Sequence, residues 1–216
     1  MKFFVDTADL KEIRELAETG LLDGVTTNPS LIAKSGGDFK ATIKEICAIV
    51  EGPVSAEVGA TEADAMIAEA RSLPPSPRTW LPGGALTWDG LKACRALSEA
   101  EIPVSCHALL NANQALLAAK AGAMFISPFV GRLDDAGEDG MQVVRDIRTI
   151  YDNHLFETDP RRSSDQTRND VKLAAIAGAD VATVPPQIIR DLVKHPLTDK
   201  GLAAFLADWK KSGQSV

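Results

Sequence analysis

Short apolar runs alternate with segments of helical periodicity from the first residues of the chain onward. Residues 3–5 are apolar and predict a short strand, and apolar positions then recur with a helical period over residues 9–18. The β-branched segment at residues 25–27 predicts a second strand. The chain therefore opens with a strand, a helix and a strand.

The same alternation continues to the end of the chain. Segments apolar enough to be strands buried on both faces follow one another, separated by segments with the period of amphipathic helices. The strands are predicted at residues 54–58, 104–110, 125–130 and 181–184, and the helices at residues 40–50, 62–73, 87–100, 114–120, 141–151, 171–177, 188–194 and 201–211.

Two stretches share the order of helix, glycine and strand with no linker between them. Gly122 separates a predicted helix from the strand at residues 125–130, and Gly178 does the same before residues 181–184. Glycine closes helices because it adopts the left-handed backbone conformation without strain. This order is typical of parallel α/β units. About eight such units fit into 216 residues, which predicts a single (β/α)₈ TIM-barrel domain over residues 1–216 with an extra C-terminal helix.

Two segments interrupt this pattern where the fourth and seventh strands are expected. Residues 74–86 are rich in proline and glycine, which are poor strand formers. Residues 158–166 are too polar for a typical buried parallel strand. Local rules tend to fail at functional or strained places, so both segments are candidates for the functional site.

Composition excludes several classes of function. Hydrophobic residues make up 45% of the chain and charged residues 25%, which is typical of a globular protein. The net charge of -7 argues against a nucleic-acid partner, and the sequence contains neither a signal peptide nor an 18-residue apolar run, so we expect a cytoplasmic protein with no membrane partner. The three cysteines have no metal-binding spacing, and no cofactor or metal is expected. A dinucleotide motif after the first strand and a Walker motif are both absent.

Several sequence blocks resemble the small transaldolases and the fructose-6-phosphate aldolases, over nearly the whole chain. The blocks are D-T-A at residues 6–8, G-V-T-T-N-P-S-L at 24–31, S-P-F-V-G-R-L-D-D at 127–135 and H-P-L-T-D-K-G at 195–201. The resemblance implies a (β/α)₈ barrel in which a lysine on the fourth strand forms a Schiff base with a dihydroxyacetone unit. It also implies a small-molecule substrate and a homo-oligomer, either a pentamer or a decamer.

Part of the family's active site is present in this sequence. The resemblance implies that a first-strand aspartate relays protons and that arginine and serine groups hold a substrate phosphate. The matching residues are Asp6, Thr26, Asn28, Glu57, Arg132 and Ser164.

Other family positions are changed. The position of the Schiff-base lysine falls on Gly83, and the nearby Lys92 belongs to the following helix. His107 occupies the place of a threonine, Phe129 that of an aromatic residue with a hydroxyl, and Gln166 that of a second phosphate-binding arginine. We interpret these changes as a remodelled site on a transaldolase scaffold, made by design or selection. The alternative is a natural paralogue with a new activity.

His107 is the leading candidate for catalysis. It follows Ser105 by two residues on a predicted strand, so both side chains are expected to point into the barrel, and Cys106 is expected to point outward. His107 could act as a general base with Asp6 or Glu57 as its carboxylate, or form only structural hydrogen bonds.

The seventh strand adds a further acid, and a wider set of residues is expected to bind substrate. Asp165 is the new acid; the alternative is that it lies in a solvated loop without a catalytic role.

Gly83 is expected to open a pocket at the barrel centre, with Trp80 or Trp88 as its wall. The expected substrate-binding residues are Thr26, Asn28, Gly83, Ser105, Phe129, Arg132, Ser164 and Gln166.

Three functions are compatible with the sequence. The first is a repurposed enzyme in which His107 and a carboxylate perform general acid–base chemistry on a small substrate, with an aromatic compound as one candidate. The second is transaldolase-type transfer of a dihydroxyacetone unit with a relocated lysine. The third is a barrel that binds a ligand without catalysis.

Overall fold

The computed structural model describes residues 1–73, 79–162 and 167–213, and for residues 79–85 and 160–162 it describes the backbone alone. Eight parallel strands pair in chain order, and β1 pairs with β8, so the sheet closes into a barrel. The strands are β1 Lys2–Asp6, β2 Gly24–Thr26, β3 Val54–Ser55, β4 Thr79–Ala85, β5 Val104–Leu109, β6 Phe125–Pro128, β7 Asp159–Arg162 and β8 Val181–Val184.

Helices follow the strands on the outside of the barrel. They are α1 Leu10–Ala17, α2 Pro29–Ser35, α3 Phe39–Ile49, α4 Ala63–Ser72, α5 Trp88–Glu99, α6 Ala112–Lys120, α7 Val130–Asp135, α8 Gly140–His154, α9 Arg168–Ile176, α10 Pro186–Leu192 and α11 Pro196–Ser212. The (β/α)₈ architecture predicted from the alternation of strands and helices is confirmed.

The ends of the helices are set by residues of the expected type. The side chain of Asp9 accepts hydrogen bonds from two backbone N–H groups in the first turn of α1, and Thr167 forms a capping box with Asp170 at the start of α9. Gly122 and Gly178 have φ angles of 88° and 83°, just past the ends of α6 and α9. The predicted role of these two glycines is therefore confirmed.

The alternating side chains of the strands build two separate apolar layers. Outward residues such as Val5, Val25 and Ile126 pack with helix side chains in the main core. Inside the barrel, Phe4, Phe125 and Val181 form a cluster of their own. The rings of Phe4 and Phe125 meet edge to face, with centroids 5.8 Å apart. This cluster closes the barrel interior below the carboxyl ends of the strands.

The structure differs from the sequence-based expectation in four elements, β4, β7, β3 and α7. Residues 79–85 and 159–162 form β4 and β7, because neighbouring strands on both sides pair with their backbones. The third strand ends at Ser55, so Glu57 lies two residues beyond it instead of on it. A short helix, α7, follows β6 where the sequence analysis predicted no helix.

Gly24 lies where β2 approaches β1 and provides a test of the barrel's packing. A Cβ atom at this position would lie 2.6 Å from the Phe4 ring and 2.8 Å from the carbonyl oxygen of Pro53. We expect Gly24→Ala to lower the free energy of unfolding by about 1–3 kcal/mol through overpacking. Denaturant unfolding measures the change.

Gly131 supplies the matched control, because a Cβ atom there would meet nothing within 4 Å. Gly131→Ala lies in a helix and is expected to keep or raise stability. Equal stability of Gly24→Ala and the wild type would contradict the tight contact between β1 and β2.

Candidate active site

Asp6 and Thr26 form a polar pair at the carboxyl ends of the first two strands. They are the last residues of β1 and β2 and lie side by side in the register of the sheet. The Thr26 hydroxyl donates a hydrogen bond to Asp6 Oδ1 over 2.6 Å. Thr26 is buried and Asp6 is half-buried. The carboxylate is thus held in place at the end of a TIM barrel where such folds place their active sites.

His107 lies on β5, across the closed barrel from β1, and faces the same interior. Ser105 and His107 pair in register with Phe125 and Ser127 of β6, and Phe125 belongs to the interior cluster. Ser105 is fully buried and His107 is half-buried. The register therefore places both residues on the inward face, in line with the expected alternation of the strand.

Phe129 provides a flat surface for the imidazole of His107. The two rings are stacked, with centroids 6.4 Å apart and planes inclined by 27°. The strand is irregular at this level, because Ala108 has a φ angle of 60° and the register of β5 with β6 shifts between His107 and Leu109. The bulge and the aromatic contact together set the direction of His107 at the mouth.

Cys106 is excluded as the nucleophile of the site. It lies in the outer core with Cys94, and both thiols are buried. Hydrogen bonding to Cys94, followed by burial, raises the pKa of the Cys106 thiol far above its usual range. A thiol of this kind stays protonated and carries out no nucleophilic chemistry at neutral pH.

The expectation that Gly83 opens space at the barrel centre stays a prediction, because β4 is described by its backbone alone. In the register of β4 with β5, Gly83 pairs with Cys106, which belongs to the outward-facing set. Pro82 and Ala85 pair with the inward residues Ser105 and His107, because the register shifts between Gly83 and Ala85. The irregular step in β4 follows Gly83 and changes the register of the residues after it. Trp88 is 73% exposed at the start of α5 and therefore forms no wall of such a pocket.

The other expected site residues have more peripheral positions. The side-chain oxygen of Asn28 caps α2 by accepting a hydrogen bond from the Leu31 N–H group over 2.9 Å. Glu57 is half-buried in the segment after β3. Arg132 is exposed on α7, which begins two residues after β6 ends. The remaining candidates, Asp165, Ser164 and Gln166, lie outside the described residues.

Lysine side chains are found only on the outside of the molecule. All twelve lysines of the sequence fall within the described residues, and each is exposed. Lys92 forms an ion pair with Asp89 on the surface of α5, over 3.0 Å. The described part of the chain therefore contains no amine directed into the barrel, and it contains no cluster of histidine, cysteine or acidic residues able to hold a metal ion.

Two inward hydroxyl groups were not singled out from the sequence. Ser127 and Thr183 are buried on β6 and β8, at positions that alternate with residues of the outer core. The two-residue period of the predicted strands at 125–130 and 181–184 was a sufficient signal for both. With Thr26 and Ser105, they give the barrel interior a lining of hydroxyl groups.

The molecule is a closed (β/α)₈ barrel with an acid, an imidazole and hydroxyl groups at its carboxyl end, which is where such barrels place their active sites. Residues 3–216 match the family model described as "Transaldolase/Fructose-6-phosphate aldolase". The chain belongs to this family, and the family assignment made from the sequence blocks is confirmed.

Relatives from several bacteria are similar to this chain over its full length. Proteins named "Probable transaldolase" from Parvibaculum lavamentivorans and Rhizobium meliloti are each 59% identical to it, and one from Chelativorans sp. (strain BNC1) is 60% identical. The alignments cover 100% of this chain and 100% of each relative.

Proposed function

We propose that this protein transfers a dihydroxyacetone unit between sugar-like substrates, as expected of a transaldolase. The observation that carries the proposal is the full-length similarity to relatives named "Probable transaldolase". The Asp6–Thr26 pair supports it, because transfer of such a unit needs a carboxyl group that gives and takes protons beside the reacting carbon. Arg132, near the carboxyl end of β6, can attract a substrate phosphate.

Transfer through a Schiff base requires a lysine amine that can reach the substrate. A lysine must attack the substrate carbonyl, and loss of water then forms an iminium that accepts the electron pair of the broken carbon–carbon bond. The fourth strand has Gly83 where the family resemblance implies the lysine. Lys11 and Lys34 lie on α1 and α2, the helices that follow the carboxyl ends of β1 and β2. Both are exposed and neither is directed into the barrel, so either amine has to turn toward the mouth to reach the substrate, and we propose these two lysines as candidates for the role.

Reductive trapping tests this assignment. Incubation with dihydroxyacetone and borohydride should give one covalent adduct per chain, because borohydride reduces the iminium to a stable amine. Intact-mass analysis detects the adduct and peptide mapping locates it. We expect it to be lost in either Lys11→Ala or Lys34→Ala and retained in Lys92→Ala, whose ammonium is paired with Asp89 on α5. Absence of an adduct in the wild type, beside a trapped transaldolase, would contradict the proposal.

His107 supports a second candidate function. Its half-buried imidazole, stacked on Phe129 at the mouth, suits a general base that removes a proton from a small substrate with no Schiff base. This function is favoured if trapping fails. A barrel that binds its ligand without turnover is the third outcome.

The pH dependence of turnover tests the role of His107. A general base acts in its neutral form, so the rate should rise with pH to a plateau, with an inflection where the imidazole loses its proton. We expect His107→Gln to lower kcat about 10²–10⁴-fold and to remove this inflection. Phe129→Leu keeps the imidazole and should retain the inflection. A pH profile that is the same in the wild type and His107→Gln would contradict the role.

We infer further that the protein forms a homo-oligomer through α11. All side chains of this helix are exposed, and its large apolar residues are Leu197, Leu202, Phe205, Leu206 and Trp209. An exposed apolar face of this size is typical of a protein–protein contact. The pentamer or decamer implied by the family resemblance supplies the occupant, a second copy of the chain.

The molar mass of the protein in solution tests whether it is an oligomer. We expect light scattering to give a multiple of the 23.0 kDa chain mass. Phe205→Asp should lower that mass, because it places a charge on the apolar face, whereas Lys210→Asp should leave it unchanged. A monomeric wild type would contradict the inference.

Two further hypotheses concern origin and location. Relatives 59% identical to the chain differ from it at about four positions in ten. The changes on the strands therefore do not require a designed protein, and a remodelled site stays a hypothesis.

No helix in the described part of the chain is long and apolar enough to cross a membrane. A cytoplasmic location stays an expectation.

A further inference from the structure

Thr183 has a buried hydroxyl group that forms no hydrogen bond within the described part of the chain. The residue is 4% exposed, and among the described residues its Oγ1 atom contacts no donor or acceptor. A buried hydroxyl in this state has lost its bonds to water and gained none in return. Native proteins contain few such groups, and each calls for a reason.

The register of β8 directs this hydroxyl into the barrel. Thr183 pairs with Phe4, which belongs to the interior cluster, whereas its neighbours Ala182 and Val184 belong to the outer core. Val181, one inward position earlier on the strand, is part of the apolar floor. Thr183 is therefore the first polar side chain of β8 above that floor, on the side of the mouth.

The surroundings indicate what would satisfy the hydroxyl. The adjacent strand carries Asp6, one inward position nearer the mouth than Phe4, and its carboxylate already accepts the Thr26 hydroxyl. Ser105 and Ser127 bring further hydroxyls to the same interior. A ligand bearing several hydroxyl groups can both donate to and accept from such a lining.

We propose that Thr183 is a specificity-determining residue that binds a hydroxyl group of the substrate. This rests on the proposed function, and it assigns one hydroxyl of the dihydroxyacetone unit to Thr183. A site that hydrogen-bonds a substrate hydroxyl discriminates strongly against an analogue lacking it.

Binding of two small ligands tests the proposal without requiring turnover. Dihydroxyacetone has two hydroxyl groups, and hydroxyacetone lacks one of them. In calorimetric titrations, Thr183→Val should bind dihydroxyacetone about tenfold more weakly than the wild type, with little change for hydroxyacetone. Thr183→Ser retains a hydroxyl and should retain most of the discrimination. Equal discrimination in the wild type and Thr183→Val, or no binding of dihydroxyacetone by the wild type, would overturn the proposal.

Thermal stability separates this role from a structural one. Thr158 is the matched control, because it is also buried, at 6% exposure, but its hydroxyl donates to the carbonyl of Ala123 over 2.7 Å. Thr158→Val should lower Tm by about 2–4 °C, and Thr183→Val should leave Tm unchanged or raise it. A fall in Tm of Thr183→Val equal to that of Thr158→Val would show a structural hydroxyl and overturn the proposal.

The role of Thr183 and the proposed transferase function can fail independently, and the binding and turnover measurements distinguish the two. If the wild type binds dihydroxyacetone and Thr183→Val loses the discrimination, but no carbon–carbon bond is made or broken, the role of Thr183 stands and transaldolase-type transfer fails.

Discussion

The pairing of β1 with β8 is the constraint on which the rest of the structure depends. Once the parallel sheet closes, every strand has one face toward the helices and one toward the barrel interior, and both faces are buried. Closure also removes the free edges that would otherwise expose unpaired backbone groups. The alternation of each strand then decides which side chains can take part in a site. Asp6, Thr26 and His107 can meet one ligand only because they lie on the inward face near the carboxyl ends of their strands.

The outer architecture was predictable because it depends on local patterns. The helix-ending glycines and the apolar runs of β1, β5, β6 and β8 carry their own signals in the sequence. The strands β4 and β7 do not, since proline, glycine and charged residues predict loops. These two strands form because their neighbours supply backbone hydrogen bonds on both sides, which is information held by the whole barrel and not by the segment.

The sequence indicated which residues could form the site better than it indicated where their strands place them. The inward direction of His107 follows from its distance of two residues from Ser105, which any regular strand preserves. The register shift in β4, between Gly83 and Ala85, has no signal in the sequence, so the register of β4 with β5 could not be predicted from it. Thr183 could have been found from the same alternation, but the lack of a partner for its hydroxyl is visible only in the packed structure.

Transfer of a dihydroxyacetone unit by a barrel whose twelve lysines are all exposed can be tested by one measurement. This is the transfer of ¹³C label from fructose 6-phosphate to an aldehyde acceptor, followed by NMR. We expect label to appear in a new, longer sugar at a rate proportional to protein concentration. Label that stays in fructose 6-phosphate, under conditions in which a known transaldolase moves it, would contradict transaldolase-type transfer.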